Sequence, residues 1–213
     1  MIKCKTQNLI LGCLLFFSVF LCSCADDSKQ GEGIEKAKYT VIEEKGNCQL
    51  RQYEPYIAAE TLVDSDFDNA GNIAFGRLFK YISGNNRKRE SIAMTAPVNQ
   101  QPEKIAMTAP VNQEKSQGKY VVSFVMPSKY TMETLPEPVD ANVVIRQIPS
   151  RKVAAIRYSG TWSQAKYLEH KARLEEYIKA KGLKITGEDI FARYDPPFQI
   201  WFLRRNEVWL PVE

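Results

Sequence analysis

Residues 39–83 read YTVIEEKGNCQLRQYEPYIAAETLVDSDFDNAGNIAFGRLFKYIS, and this stretch decides the fold. Three short runs come first, Tyr39 to Glu44, Cys48 to Tyr53 and Tyr56 to Val63, separated by Gly46-Asn47 and by Pro55. Their alternation and their Gly, Asn and Pro punctuation predict an antiparallel meander. Asp66 or Asp68 then caps a helix running to about Ser83, closed by Gly84-Asn85-Asn86. Ala70, Ile73, Ala74, Leu78 and Tyr81 form the stripe such a helix lays against a sheet. Phe75, Phe79 and Ile82 widen the apolar arc to roughly 240°, where a surface helix needs only ~100°. Something besides the sheet must cover that flank. Another part of the chain and a bound ligand would leave the same pattern.

Working toward the C-terminus, Ile92-Ala93-Met94-Thr95-Ala96-Pro97-Val98-Asn99-Gln100 recurs almost unchanged as Ile105 to Gln113. Two copies at so short a period make no solenoid, and each proline favours an edge strand or a strand end. Lys119 to Met126 predicts a strand ended by Pro127, and Leu135-Pro136-Glu137-Pro138 a loop. The order then repeats: strands at Val143–Ile148 and Lys152–Tyr158, and a helix from Ser159-Gly160-Thr161-Trp162-Ser163 to about Lys181, stopped by Gly182. Phe191–Tyr194, Phe198–Leu203 and Val208–Leu210 would complete the sheet. The class is α+β with internal pseudo-symmetry.

Working toward the N-terminus, residues 1–23 read as a signal. Lys3 and Lys5 precede an apolar run from Leu9 to Leu21 that is short for a membrane span. Leu21-Cys22-Ser23-Cys24 resembles the lipobox of bacterial lipoproteins, so Cys24 is the expected lipidated residue. Residues 24–38 then form a polar tether and residues 39–213 one domain. The expected location is the cell envelope, with lipid holding the domain on the periplasmic or outer side of a membrane.

Composition narrows the function. Of five cysteines only Cys48 remains once Cys4, Cys13, Cys22 and Cys24 are assigned, so no internal disulfide or cysteine metal site is expected. The 29 basic residues exceed 25 acidic ones by little, and Lys3 and Lys5 leave with the signal. No basic field for nucleic acid follows from that balance. Neighbouring carboxylates such as Glu43-Glu44 fall on different faces, and no glycine-rich phosphate loop is present. Arg204-Arg205-Asn206-Glu207 predicts a hairpin turn in which Glu207 can pair with an arginine. His170 is the chain's one histidine, so it is the candidate imidazole ligand to a metal. Met94, Met107 and Met126 are candidate thioether ligands or core filler.

Three segments carry a resemblance: Ile92 to Val98, Phe124-Val125-Met126-Pro127-Ser128-Lys129-Tyr130, and Tyr194-Asp195-Pro196-Pro197-Phe198 with Arg204 to Trp209. With them the chain from Tyr39 onward resembles the SOUL/heme-binding protein family. The resemblance implies a distorted antiparallel β-barrel of two βαβββ-like halves with two helices outside. It also implies heme or another porphyrin as ligand, in an apolar groove beside the first helix. Carried over, that groove would use Ile73, Phe75, Leu78 and Phe79 from the helix and Ala192, Tyr194 and Phe198 from the facing loop. Arg77 or Lys80 would meet a propionate. One branch of the family carries a histidine proposed as iron ligand where this chain has Gln52, between Arg51 and Tyr53; that ligation does not carry over. The reading is a membrane-tethered carrier, buffer or scavenger of tetrapyrroles without a catalytic constellation. The alternatives are a module of the same fold for another amphipathic ligand or partner, and an enzyme acting on tetrapyrroles. No oligomeric state is read from the sequence.

Overall fold

The computed structural model describes residues 34–88 and 103–213. The signal, Cys24 and most of the tether lie outside the described residues, as does the first copy of the tandem segment with Met94.

Strands β1 (Tyr39–Lys45), β2 (Cys48–Tyr53) and β3 (Tyr56–Val63) lead into helix α1 (Phe67–Ile82). Asp66 caps α1 by accepting from the Asn69 amide at 2.9 Å, and Gly84 turns the chain away at φ 116°. The short strand β4 (Asn86–Arg87) precedes β5 (Val111–Ser116) and β6 (Lys119–Val125). Pro110 ends the second tandem copy's non-strand part, and the copy enters β5 at Val111. After β7 (Glu137–Pro138), which pairs with β4, come β8 (Val143–Ile148), β9 (Arg151–Tyr158) and helix α2 (Gln164–Ala180). Strands β10 (Ile190–Arg193) and β11 (Asn206–Pro211) close the chain.

Nine strands form one curled antiparallel sheet in the order β1-β2-β9-β11-β10-β5-β6-β3-β8. The order reads as two copies of a strand-strand-helix-strand-strand unit. The first copy is β2, β3, α1, β5 and β6; the second is β8, β9, α2, β10 and β11. Each unit gives its first strand to the other: β2 pairs with β9, and β8 pairs with β3. The junction is the β10–β5 pair, which sets Arg193 opposite Val111 and Phe191 opposite Gln113. The result is the α+β half-barrel with two outer helices that the family resemblance implied.

Side-chain alternation divides the core. Ala154, Ile156 and Tyr158 of β9 pack under α2, whereas Val153 and Ala155 face the inside of the curl with Tyr53, Ala192 and Trp209. Helix α1 packs Ala70, Ala74, Leu78 and Tyr81 onto β3 and β6. Two sequence expectations change here. Phe198–Leu203 is no strand: it turns through a 3-10 segment at Trp201–Leu203, with its large apolar side chains exposed. Arg204 holds that loop by donating to the carbonyls of Gln199 and Pro197, a role apolar content alone does not reveal. Residues 35–38, assigned to the tether, are tied down. Ala37 is buried, the Glu35 carbonyl accepts from Ala109 N, and the Lys38 carbonyl accepts from Glu54 N.

Candidate ligand cleft

Helix α1 has three faces. At about 100° per residue, Leu78 points to the sheet and Phe75 and Phe79 point sideways from it, on one flank. Ile73 and Arg77 fall near the opposite side. Phe75 is half-buried and meets the ring of Phe124 edge-on at 5.5 Å. Phe79 is 46% exposed, and the two phenylalanine rings stack at 5.7 Å, 11° from parallel. They make a flat aromatic wall that the protein covers only in part.

The opposite wall is the segment from Tyr194 to Phe198, which leaves β10 and bends at Pro196-Pro197. Between the walls lies a cleft of about 510 Å3 whose other surfaces come mainly from Ile34, Met107, Ala109, Val111 and Trp162. That volume lies in the range of small-molecule sites, and the lining is mostly apolar, as such sites are. Phe198 stands at the rim, 86% exposed.

Arg193 is the cation of this cleft, and the sequence reading passed it over. It is 8% exposed and lies across α1 at Gly71, where any Cβ would fall 1.6 Å from its Nη2. Glycine in mid-helix costs stability, and here it provides the room for a guanidinium. The guanidinium sits over the rings of Trp162 and Phe191, 5.2 and 5.6 Å from their centroids. Its hydrogen-bond partner is Gln113 Oε1, at 3.4 Å. Among the described residues no carboxylate forms an ion pair with it. Burial pulls its pKa down to about 10, partly offset by the Tyr158 hydroxyl, so it stays charged at neutral pH.

The expected groove residues separate accordingly. Phe75, Phe79, Tyr194 and Phe198 are brought together around the cleft. Leu78 is fully buried between α1 and the sheet, so it supports the wall without lining it. Ala192 faces the inside of the curl, because neighbours on a strand point to opposite faces and Arg193 takes the cleft side. Ile73 is exposed on the far flank. Arg77 is engaged there, donating to Thr61 Oγ1 at 2.7 Å and facing Asp140 at 3.7 Å. Lys80 is exposed on the same side of the helix. His170 stacks on Tyr158 at 3.9 Å and bonds the Lys166 carbonyl through Nδ1, away from the cleft. Met107 lines the cleft and Met126 is buried in the core. Gln52 lies outside the cleft and donates to Ser150 Oγ.

Behind Tyr194 a buried network fixes the loop wall. Glu207 is fully buried and receives Arg51 at 2.7 and 3.1 Å, Arg205 at 2.7 and 3.0 Å, Trp209 Nε1 at 2.6 Å and Tyr194 Oη at 3.1 Å. Burial alone would push this carboxyl up. The hydrogen bond and charge of Arg51, with the charge of Arg205, hold it down at about 2. The expected pairing of Glu207 with an arginine is present twice over, in the interior and not in an exposed hairpin.

Fold and cleft together define a curled α+β half-barrel with an apolar slot between an outer helix and a returning loop. The chain belongs to the SOUL heme-binding protein family, whose model matches residues 34–211. It is 31% identical over 178 residues to heme-binding protein 2 of Mus musculus, covering 82% of each chain. It is also 31% identical over 160 residues to heme-binding protein 1 of Xenopus tropicalis, covering 75% of this chain and 80% of that one. The solved C-terminal domain of EcmrR superposes with a TM-score of 0.52 at 12% identity, over 82% of this chain and 98% of that chain. A hydrolase from Listeria innocua also gives 0.52 at 12% identity, over 81% and 94%. At such identities the two likenesses concern the fold alone.

Proposed function

We propose that the cleft binds heme or a related tetrapyrrole, and that the protein is a carrier, buffer or scavenger and not an enzyme. The observation that carries this reading is the pair of stacked, partly exposed rings of Phe75 and Phe79 facing the loop wall at Tyr194–Phe198. A porphyrin is a flat apolar plate, and burying it between such walls removes apolar surface from water on both its faces. The names of the mammalian and amphibian relatives support the same ligand class.

The same proposal places the protein at a membrane, through lipid on Cys24 and on the periplasmic or outer side. The leader pattern supports it, and so does the loop at the rim of the cleft. Phe198, Ile200, Trp201, Phe202 and Leu203 are all more than half exposed, an apolar tip of the kind that rests at a bilayer interface. Ile34, where the described chain begins, lines the same cleft as Phe198.

The test is a titration of the full chain, in detergent, with ferric heme. A shifted Soret band saturating near one heme per chain is expected; an unshifted band overturns the binding reading. Labelling of growing cells with radioactive palmitate tests the anchor: the label should be incorporated and should vanish in Cys24→Ala. Label that persists in the variant removes the anchor from the account.

A further inference from the structure

We infer that the cleft admits its ligand with a free carboxylate inward, paired with Arg193, so that it selects acid-bearing tetrapyrroles over esterified ones. This inference rests on the tetrapyrrole reading above and adds the orientation and the chemical class of the ligand.

Among the described residues Arg193 lacks a carboxylate partner. A buried arginine is ordinarily matched by a carboxylate, because an uncompensated charge is costly to desolvate. The buried Arg51 obeys that rule, sharing the buried Glu207 with the partly buried Arg205. Arg193 is as deeply placed, yet its acceptor is a neutral amide oxygen at 3.4 Å. That amide is itself fixed, since Gln113 Nε2 donates to the Phe67 carbonyl at 3.0 Å. Asp195 also lines the cleft, but its carboxylate accepts from the Arg205 backbone amide at 2.5 Å.

A desolvated guanidinium with no anionic partner makes a receptor for one anion. Apart from Asn72, Thr108 and Asp195 the rest of the lining is mostly apolar, so the anion belongs to a molecule that is otherwise greasy and flat. Position sets the orientation: Arg193 is 8% exposed at the floor, whereas Phe198 is 86% exposed at the rim. The acid edge therefore enters first.

The test uses protoporphyrin IX and its dimethyl ester, titrated into the full chain in detergent and followed by quenching of tryptophan fluorescence. Both probes partition into micelles, so the quantity read is the acid-to-ester affinity ratio, compared between the parent chain and its variants. The parent should bind the acid at least about tenfold tighter than the ester, the scale of a charge-assisted hydrogen bond. Arg193→Met should bring the ratio near one by weakening the acid alone. Equal affinities in the parent, or a ratio that survives in Arg193→Met, overturn the inference while leaving the tetrapyrrole reading intact. If neither probe binds the parent, both fall. Should Arg193→Met not fold, the ratio in the parent and in Arg193→Gln decides.

Discussion

Leu78 and Phe79 are consecutive residues on one helix, yet Leu78 is wholly buried against the sheet while Phe79 stands 46% exposed over the cleft. The turn of about 100° between them separates what holds the fold from what is open to a ligand. Substituting each in turn separates the two roles. Leu78→Ala should cost about 2–5 kcal/mol of stability, as a cavity in a packed core does. Phe79→Asp should leave the urea unfolding midpoint almost unchanged and weaken heme binding roughly tenfold or more, the worth of about half a buried aromatic side chain. Paired urea melts and Soret titrations check both. A large loss of stability in Phe79→Asp would mean the ring is structural.

Acid should unfold the protein through Glu207. Its folded pKa, about 2, lies below the ordinary value of 4.5, so its ionised form stabilises the fold at every pH above about 4.5. That contribution is lost as pH falls from 4.5 toward 2, when the proton the unfolded chain already holds must be taken up by the folded one. Glu207→Gln removes the charge at all pH values and leaves Arg51 and Arg205 buried without it. The expected cost at pH 7 is about 3–5 kcal/mol. Thermal melts of parent and variant at pH 7, 4 and 2.5 should converge as pH falls. A difference that stays constant would contradict the assignment.

Iron should matter little to affinity. Among the described residues the cleft is lined by no histidine or cysteine, and Met107 is the one soft donor. Ferric heme and metal-free protoporphyrin IX should therefore bind within a few-fold of each other, and Met107→Leu should leave both unchanged. A large preference for heme that disappears in Met107→Leu would make the thioether an axial ligand.

The exposed tip predicts contact with lipid. In vesicles containing brominated acyl chains, fluorescence of the full chain should be quenched, and most of that quenching should be absent in Trp201→Phe. Quenching that is equal in both proteins would place Trp201 away from the bilayer.

The sequence carried the architecture because local chemistry decides it. Asp66 and Gly84 bound α1, Gly182 stops α2, and the alternation at Val153–Tyr158 marks a strand with two buried faces. The excess apolar arc of α1 also singled out Phe75 and Phe79, and both line the cleft. The helical period also set Leu78 on the sheet-facing stripe, as found; it was the family resemblance that grouped Leu78 with Phe79 in the groove, and the packing of α1 on β3 and β6 parts them. Arg77 was favoured for its place on the helix, but Thr61 and Asp140 engage it on the far flank. Arg193 was missed because its meaning depends on Gly71, far away in the chain. Two signals were present: a charge ending the apolar strand Ile190–Arg193, and a glycine inside a helix that no turn requires. The loop at Phe198–Leu203 misled because exposed and buried apolar runs share a composition.

The most direct test of the account is where a porphyrin perturbs the protein. Fluorine-19 spectra of the full chain carrying 4-fluorophenylalanine, recorded as protoporphyrin IX is added, report every phenylalanine ring. Large ring-current shifts at Phe75, Phe79 and Phe198, with Phe124 moving less, are the predicted result. Shifts that leave those three unmoved, while porphyrin still binds, would show that the ligand lies elsewhere.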